Sequence, residues 1–370
     1  METKHIALID GSKLTVEALA RAGADAFVGY PITPSNLMYA YAKQRMPVFL
    51  AAPDEITTLQ WMAGMSAAGK VPVTSSAFPG IALMVESINM AYAMELPMVI
   101  ILTQRLGPST GSATTGAQGD LMLLKGIISG GYPVPVFSPS DFTDIWHLAA
   151  KALETAVKYR TPVFFLTSKE MIMTQKAFDL ELLDPIEKVH PDTKVEGEFK
   201  PYKPGKNLTP PYIPLGNDEY LTRITASTHD QDGNIRKAEP EALENAKRLR
   251  RKLVENMDDY LFYDWQQSEG KARKLIVTWG ITAEAVRDAV KALKKRGEAV
   301  DVLIVKTLLP VADEIYDIIG KYDKVYFAEE NLTGQYKEIL FGEKAESHHV
   351  SINKIGSMIT PEEIVRKVSN

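Results

Sequence analysis

A chain of 370 residues is longer than one hydrophobic core usually organises, which predicts two or three domains. Hydrophobic residues make up 45% of the sequence and charged residues 24%, which is typical of globular proteins and excludes a disordered or fibrous chain. The formal charge of −5 leaves no basic surplus for binding phosphates, so no nucleic-acid partner is expected.

The chain contains no cysteine, which excludes disulfides and the thiolates that usually hold iron–sulfur clusters. Its six histidines are scattered without the spacing of metal ligands, so no metal site is predicted. The pattern of a signal peptide is absent, and no segment reaches the roughly 18 apolar residues of a membrane span. We therefore expect a cytoplasmic protein without a membrane partner.

Between residue 12 and about residue 170, apolar β-like runs alternate with helix-like periodic stretches, as in the βα units of a parallel sheet. The predicted strands are Ala26–Tyr30, Val48–Ala52, Val73–Ser76, Met98–Thr103, Val134–Ser138 and Val163–Thr167. A helix that begins near Asp141 and has one apolar face precedes the last strand. These elements predict an α/β domain at residues 1–190, with helices on both faces of its sheet.

Residues 191–270 are predicted to be a connection, because prolines and then charged residues interrupt the alternation. The charged run Ala242–Glu255 is predicted to be a solvated helix. Glutamates interleave with its basic residues, which favours an exposed helix face over an RNA-binding surface. Asp232-Gly233-Asn234 follows no strand and is predicted to be a turn.

From Lys274 the alternation resumes and predicts a second, smaller α/β domain at residues 271–370. Its predicted strands are Leu275–Thr278, Val300–Lys306, Lys324–Ala328 and Val350–Ile355, with helices at 282–296, 312–319 and 335–341. A last helix is predicted to begin at Thr360, because a capping hydroxyl, a first-turn proline and Glu363 follow one another at the right spacing.

Four polar segments follow predicted strands of the first domain, whereas the common nucleotide-binding signatures are absent. The segments are Gly29–Ser35, Pro53–Ile56, Ser75–Gly80 and Gln104–Gly111, the last continuing to Gln118-Gly119-Asp120. The carboxyl ends of parallel strands meet at one edge of a sheet, where open α/β folds bind their ligands. We therefore expect the four segments to converge.

With these segments the sequence resembles the α subunit of 2-oxoacid:ferredoxin oxidoreductases, a family that includes 2-oxoglutarate, pyruvate and branched-chain enzymes. Four further stretches extend the resemblance over nearly the whole chain: Tyr159–Phe164, Thr228–Gly233, Val277–Gly280 and Glu330–Gln335. The resemblance implies a pyrimidine-type thiamine-diphosphate-binding domain followed by a transketolase C-terminal-like domain. It also implies oxidative decarboxylation of a 2-oxoacid with coenzyme A to acyl-CoA and CO₂, or the reverse, with ferredoxin as electron carrier.

The resemblance further implies that thiamine diphosphate is shared with a partner β subunit, which holds the diphosphate, Mg²⁺ and a [4Fe–4S] cluster. This chain lacks both cysteine and the Gly-Asp-Gly with a downstream asparagine that binds Mg²⁺ and diphosphate in thiamine-diphosphate enzymes. Both absences are expected of one half of a split site. The implied assembly is a dimer of heterodimers, with or without γ and δ subunits.

Glu55 matches the family's catalytic glutamate, which bonds N1′ of the aminopyrimidine and favours its imino form. From the residues alone, the favoured interpretation of Glu55 is a glutamate stabilised by a helix macrodipole. Tyr30, Pro31 and Gly80 are expected to bind the cofactor with it. The catalytic role of Glu55 is therefore implied by the resemblance.

Thr33 and Arg105 match residues that contact the 2-oxoacid carboxylate in the family, through a hydroxyl and a guanidinium suited to an anion. Their alternatives are a turn residue before a proline and a surface arginine. Ser109 and Thr110 are expected to shape the substrate pocket beside Arg105. These residues form the predicted substrate site.

Phe78 replaces a glycine common in the family, and Lys125–Pro133 lacks the Gly-Arg-His-Gly-type run of typical 2-oxoglutarate enzymes. Phe78 either narrows the pocket or packs, because a residue with a ring cannot adopt every glycine conformation. The 2-oxoacid is therefore left open. Two other functions stay open: a transketolase- or dehydrogenase-like subunit that uses no ferredoxin, and a catalytically silent assembly or regulatory subunit.

Overall fold

The computed structural model describes residues 5–344 and 346–369. The strands are β1 (Ile6–Asp10), β2 (Ala26–Gly29), β3 (Val48–Ala51), β4 (Pro72–Ser76), β5 (Met98–Gln104), β6 (Val136–Phe137), β7 (Pro162–Ser168), β8 (Gln175–Asp179), β9 (Tyr263–Gln266), β10 (Lys274–Trp279), β11 (Val300–Val305), β12 (Thr307–Leu309), β13 (Lys324–Glu329) and β14 (His349–Asn353). The helices are α1 (Gly11–Ala22), α2 (Asn36–Arg45), α3 (Glu55–Ala67), α4 (Phe78–Ala93), α5 (Leu121–Lys125), α6 (Phe142–Tyr159), α7 (Lys169–Met173), α8 (Pro240–Val254), α9 (Thr282–Lys295), α10 (Asp313–Ile319), α11 (Gln335–Phe341) and α12 (Pro361–Ser369). None of the described helices has the length and apolarity needed to cross a bilayer.

The larger sheet in the described residues has seven strands in the order β12-β6-β7-β5-β4-β2-β3. Strands β2 to β7 run parallel to one another, as predicted from their short apolar runs between helices. The chain proceeds from β2 outward to β3 and then returns to β4 on the other side of β2. This reversal creates a crevice at the carboxyl ends of β2 and β4.

Strand β12 was not predicted, and it joins the first sheet from the C-terminal part of the chain. It pairs antiparallel with β6. A segment of three residues shows no periodicity of its own, so the sequence contains no local signal for this pairing. The predicted division at residues 190 and 270 remains a prediction, and β12 shows that one sheet draws on both ends of the chain.

The second sheet has five strands in the order β14-β13-β10-β11-β9. The four predicted strands are parallel to one another, and the unpredicted β9 closes the edge antiparallel to β11. Strand β9 is only partly buried, so it lacks the apolar run that identified the others. Strands β1 and β8 form a separate two-stranded antiparallel sheet.

The prediction that the charged run forms a solvated helix is wrong for one face of α8. Arg248 and Lys252 are buried, and both contact the fully buried carboxylate of Glu95 in the first domain. Arg251 is exposed, as expected. The partner of the buried cations lies 153 residues away from Arg248, so the local charge pattern could not reveal it.

In the connection before α8, the Asp232-Gly233-Asn234 segment is part of a turn. The Gly233 N–H donates to the carbonyl of Asp230 at 3.1 Å, and Gly233 has a positive φ of 76°. This left-handed conformation favours glycine. The turn prediction is therefore confirmed.

Candidate active site

Glu55 is the first residue of α3, directly after the carboxyl end of β3. Asp54 caps the helix by accepting the Thr57 N–H at 2.7 Å, and this bond holds the pKa of Asp54 below its usual value. The Glu55 side chain is only 7% exposed. The cap therefore fixes a buried glutamate at the crevice of the first sheet.

Gly80, in the first turn of α4, leaves room for the Glu55 side chain. A Cβ at Gly80 would lie 2.7 Å from both Cγ and Oε1 of Glu55, and 2.1 Å from Oγ of Ser76. No larger residue fits without moving one of these groups. The structure thus brings together Glu55 and Gly80, two of the residues predicted to bind the cofactor.

Phe78 begins α4 and is partly buried. It does not have the positive φ that would favour glycine, so the aromatic side chain adds no backbone strain at this position. The backbone at position 78 therefore does not require glycine. Whether Phe78 narrows the pocket or only packs remains a prediction.

Arg105 lies at the end of β5 and contacts Thr33, which follows β2. The guanidinium Nη1 donates to the Thr33 carbonyl oxygen at 2.6 Å, while the Thr33 hydroxyl accepts from Asn36 at 3.0 Å. Arg105 is 6% exposed, so it is not a surface arginine. Its Nε has no hydrogen-bond partner in the described part of the chain. A buried donor of this kind is suited to an anionic ligand.

The predicted convergence of the four strand-end segments is confirmed. Besides the Arg105 and Glu55 contacts, the Ser35 hydroxyl donates to Thr103 Oγ1 at 3.0 Å and approaches the Ser76 carbonyl oxygen at 3.4 Å. These bonds connect the ends of β2, β4 and β5. The polar segments therefore share one edge of the sheet.

Asp120 is a site residue to which the sequence analysis assigned no role. It is 8% exposed, and its Oδ2 has no hydrogen-bond partner among the described residues. Burial raises the pKa of its carboxyl to about 7, although the nearby Arg105 charge acts in the opposite direction. The motif Gln118-Gly119-Asp120 was recognised, but nothing in the sequence indicated that its carboxylate would be buried beside Arg105.

The remaining predicted site residues lie on the exposed side of the edge. Tyr30 is 40% exposed, and Pro31, Ser109 and Thr110 are also exposed. The loop that carries Ser109 and Thr110 is closed by a hydrogen bond of 2.8 Å from the Ser112 N–H to the Leu106 carbonyl. No hydrogen bond in the described structure joins Ser109 or Thr110 to Arg105, so their roles remain predictions.

A family model described as pyruvate flavodoxin/ferredoxin oxidoreductase, thiamine-diphosphate-binding, matches residues 17–252. The chain is 30% identical to the 2-oxoglutarate synthase subunit KorA of Methanocaldococcus jannaschii, over 98% of this chain and 99% of that protein. It is 27% identical to the ketoisovalerate oxidoreductase subunit VorB of Methanothermobacter thermautotrophicus, over 90% of this chain and 88% of the relative.

Among solved structures, the chain is similar to 2-oxoglutarate:ferredoxin oxidoreductase from Magnetococcus marinus, which has 2-oxoglutarate, coenzyme A and succinyl-CoA bound. The TM-score is 0.91 at 28% identity, and the match covers 100% of this chain and 66% of the other. A split-gene transketolase, described as an inactive β4 tetramer, matches with a TM-score of 0.54 at 18% identity. The second likeness concerns the fold alone.

Proposed function

The chain belongs to the 2-oxoacid:ferredoxin oxidoreductase family as an α-type subunit, and from this premise we propose how its residues serve that activity. As part of a hetero-oligomeric oxidoreductase, it takes part in the coenzyme A-dependent oxidation of a 2-oxoacid with ferredoxin as electron acceptor. Relatives named for 2-oxoglutarate and for ketoisovalerate both match, so the acyl group is left open. The ferredoxin enzymes among the relatives favour this activity over a transketolase-like reaction.

The observation that carries the proposal is the buried carboxylate of Glu55 opposite Gly80. Glu55 is 7% exposed, and Gly80 leaves no side chain between its carboxylate and the start of α4. A largely buried carboxylate that a glycine keeps clear is suited to a ligand that donates a hydrogen bond, as a ring nitrogen carrying a proton would. The residues present therefore fit the pyrimidine half of thiamine diphosphate.

When bound, thiamine diphosphate supplies the nucleophilic carbon and the electron sink for decarboxylation. Glu55 would hold the proton at N1′ of the pyrimidine and so act as the acid–base residue of this chain. Aspartate at this position has a shorter reach, and glutamine lacks the ionisable oxygen. The backbone of α3 keeps Glu55 in place through the Asp54 cap.

Arg105 and Thr33 would bind the carboxylate of the 2-oxoacid. The unpaired Nε of Arg105 offers a charged donor in a buried setting, and the contact with the Thr33 carbonyl fixes the guanidinium plane. Asp120 would offset part of the Arg105 charge before substrate enters. We propose that Tyr30 and Pro31 contact the cofactor and that Ser109 and Thr110 contact the substrate. All four residues would do so from the exposed side of the sheet edge.

A partner β subunit would supply the diphosphate site, Mg²⁺ and the [4Fe–4S] cluster. The support is the complete absence of cysteine from this chain, combined with an activity that transfers electrons to ferredoxin. We propose a dimer of heterodimers in the cytoplasm, with or without γ and δ subunits. A silent assembly subunit is disfavoured, because such a subunit has no need of both Glu55 and Arg105.

The deciding experiment is Glu55→Gln in the assembled enzyme, with Glu314→Gln as the control. Glu314 is an exposed glutamate in the first turn of α10. It interacts with its helix dipole as Glu55 does, but it lies outside the proposed active site. We expect hydrogen–deuterium exchange at C2 of thiamine diphosphate to slow by roughly 10²- to 10⁴-fold in Glu55→Gln only, as for a lost acid–base group. Calorimetry should show that the cofactor still binds. Wild-type exchange in Glu55→Gln would refute the assignment.

A further inference from the structure

The carboxyl end of the second sheet has a crevice of the kind in which open α/β folds bind ligands, and a residue of the first domain fills it. The crevice lies between β10 and β13, where the chain continues to β11 on one side and to β14 on the other. The Gln118 side chain, 1% exposed, lies between the ends of these two strands. A side chain thus takes the place that a ligand takes in other sheets.

Every polar group of Gln118 is bound by the second domain. Its Nε2 donates to the Trp279 carbonyl at 2.7 Å, and its Oε1 accepts from the Thr282 hydroxyl and the Glu330 N–H, each at 2.8 Å. Its backbone N–H donates to the Glu330 carbonyl at 2.8 Å, and its carbonyl accepts from Asn331 at 3.2 Å. These five hydrogen bonds hold both the side chain and the backbone of Gln118.

Gly280 permits this close approach. A Cβ on Gly280 would lie 2.7 Å from Gln118 Nε2, and its φ of +59° favours glycine. A second glutamine, Gln335, binds the backbone on the far side of Gln118, with its Nε2 donating to the Gly119 carbonyl at 2.7 Å. The motifs Val277–Gly280 and Glu330–Gln335 therefore both contribute contacts to residues 118–119.

The held segment is connected to Arg105 by a short path. Two residues after Gln118, the Asp120 N–H donates to Gln104 Oε1 at 3.1 Å, and Gln104 immediately precedes Arg105. Before Gln118, the Gly116 N–H donates to Glu170 of α7 at 3.0 Å. The loop between Arg105 and Asp120 is therefore held by its own domain through Glu170 and by the second domain through Gln118.

We propose that Gln118 is a positioning residue through which the second domain sets the geometry of Arg105 and Asp120, and hence the affinity of the 2-oxoacid carboxylate site. This inference rests on the proposed substrate role of Arg105. The second domain then contributes to substrate binding without contacting the substrate. Removing a hydrogen bond that the second domain makes to Gln118 should weaken substrate binding, while the rate of the chemical step stays nearly unchanged.

The test compares Thr282→Val with Thr278→Val in the assembled enzyme. Both substitutions remove a buried hydroxyl from the second domain, but Thr282 donates to Gln118 whereas Thr278 donates at 2.9 Å to the Ala328 carbonyl within its own sheet. For Thr282→Val we expect the KM for the 2-oxoacid to rise about three- to tenfold, the cost of one hydrogen bond, with little change in kcat. Thr278→Val should leave KM unchanged. Equal KM values in the two variants would overturn the proposal.

Amide hydrogen exchange of residues 105–120 provides a second readout that does not need turnover. Exchange should be faster in Thr282→Val than in Thr278→Val, and faster still in Gln118→Met, which keeps the side-chain length but removes its hydrogen bonds. If the wild-type assembly oxidises no 2-oxoacid, the proposed function fails, yet this exchange comparison still decides whether Gln118 holds the loop. Unchanged exchange in both Gln118→Met and Thr282→Val would refute the role of Gln118.

Discussion

The buried carboxylate of Glu95 should be among the most sensitive positions for the stability of this chain. It accepts from Arg248 Nη1 at 3.0 Å and Nη2 at 2.5 Å, and it also contacts the Lys252 ammonium. A third buried cation, Arg160, donates to the Glu95 backbone carbonyl at 3.2 Å. Glu95→Gln would therefore remove the carboxylate that binds Arg248 and Lys252, and with it the negative charge near Arg160, with almost no change of shape.

We expect Glu95→Gln to lower the free energy of unfolding by about 3–5 kcal/mol, the usual cost of leaving a buried charge without its partner. The loss should depend on pH, because burial lowers the pKa of Lys252 to about 8 and the attraction of Glu95 keeps it from falling further. Without Glu95, Lys252 loses its proton at a lower pH in the folded state, while the unfolded chain keeps it. The deficit should therefore shrink as the pH rises from neutral toward about 9.

Urea unfolding followed by circular dichroism at several pH values measures this loss directly. The control is Glu255→Gln, which removes an exposed carboxylate that binds Arg251 of α8 at 2.7 Å. An exposed pair of this kind is worth at most about 1 kcal/mol. If Glu95→Gln costs no more than the control, the buried cluster does not stabilise the contact between α8 and the first domain, and the reasoning fails.

Three further predictions concern the site. Arg105→Ala should raise the KM for the 2-oxoacid roughly ten- to a hundredfold in steady-state assays, as expected for the loss of a charge-assisted hydrogen bond of about 1.5–3 kcal/mol. Loss of thiamine diphosphate with an unchanged KM would contradict the substrate-binding role of Arg105. Asp120→Asn should stabilise the protein more at about pH 8 than at about pH 5, as measured by urea unfolding. The reason is that a carboxyl whose pKa is raised in the folded state lowers the free energy of unfolding as the pH rises toward that pKa. Equal effects at the two pH values would contradict this prediction. The chain expressed alone should bind thiamine diphosphate weakly by calorimetry, and tight Mg²⁺-dependent binding would refute the divided site.

The strands that were predicted correctly are those whose signal is local. Strand β5 begins with the continuous apolar run Met98–Leu102, and a run of this kind identifies a strand buried on both faces of a parallel sheet. The convergence of the polar segments followed from topology, because every carboxyl end in a parallel sheet lies on the same edge. Strands β9 and β12 lack such runs. Their pairing depends on neighbours that are already folded, so it could not be predicted from their own residues.

The shared edge of the parallel sheet also explains which part of the site could be predicted. Glu55, Thr33 and Arg105 follow strands of one sheet, so the sheet alone places them together. Gln118 depends on Glu330, which lies 212 residues away in the sequence, and on a second sheet whose packing against the first has no local signal. The burial of Asp120, which raises its pKa, likewise depends on the folded chain around it and has no local signal in the sequence.

The buried face of α8 also explains the path of the proline-rich connection. Arg248 and Arg160 have more donors than Glu95 can satisfy, and the connection supplies carbonyl acceptors at Leu208, 2.9 Å from Arg248, and at Pro211, 2.7 Å from Arg160. Leu208 accepts at the end of the short 3₁₀ helix Lys206–Leu208, and Pro211 offers a carbonyl without an N–H that needs its own partner. The connection can therefore supply acceptors to these buried cations at little cost in unpaired donors. The proline-rich connection and the basic residues look like unrelated features in the sequence. In the folded chain, carbonyls of the connection accept hydrogen bonds from the buried arginines.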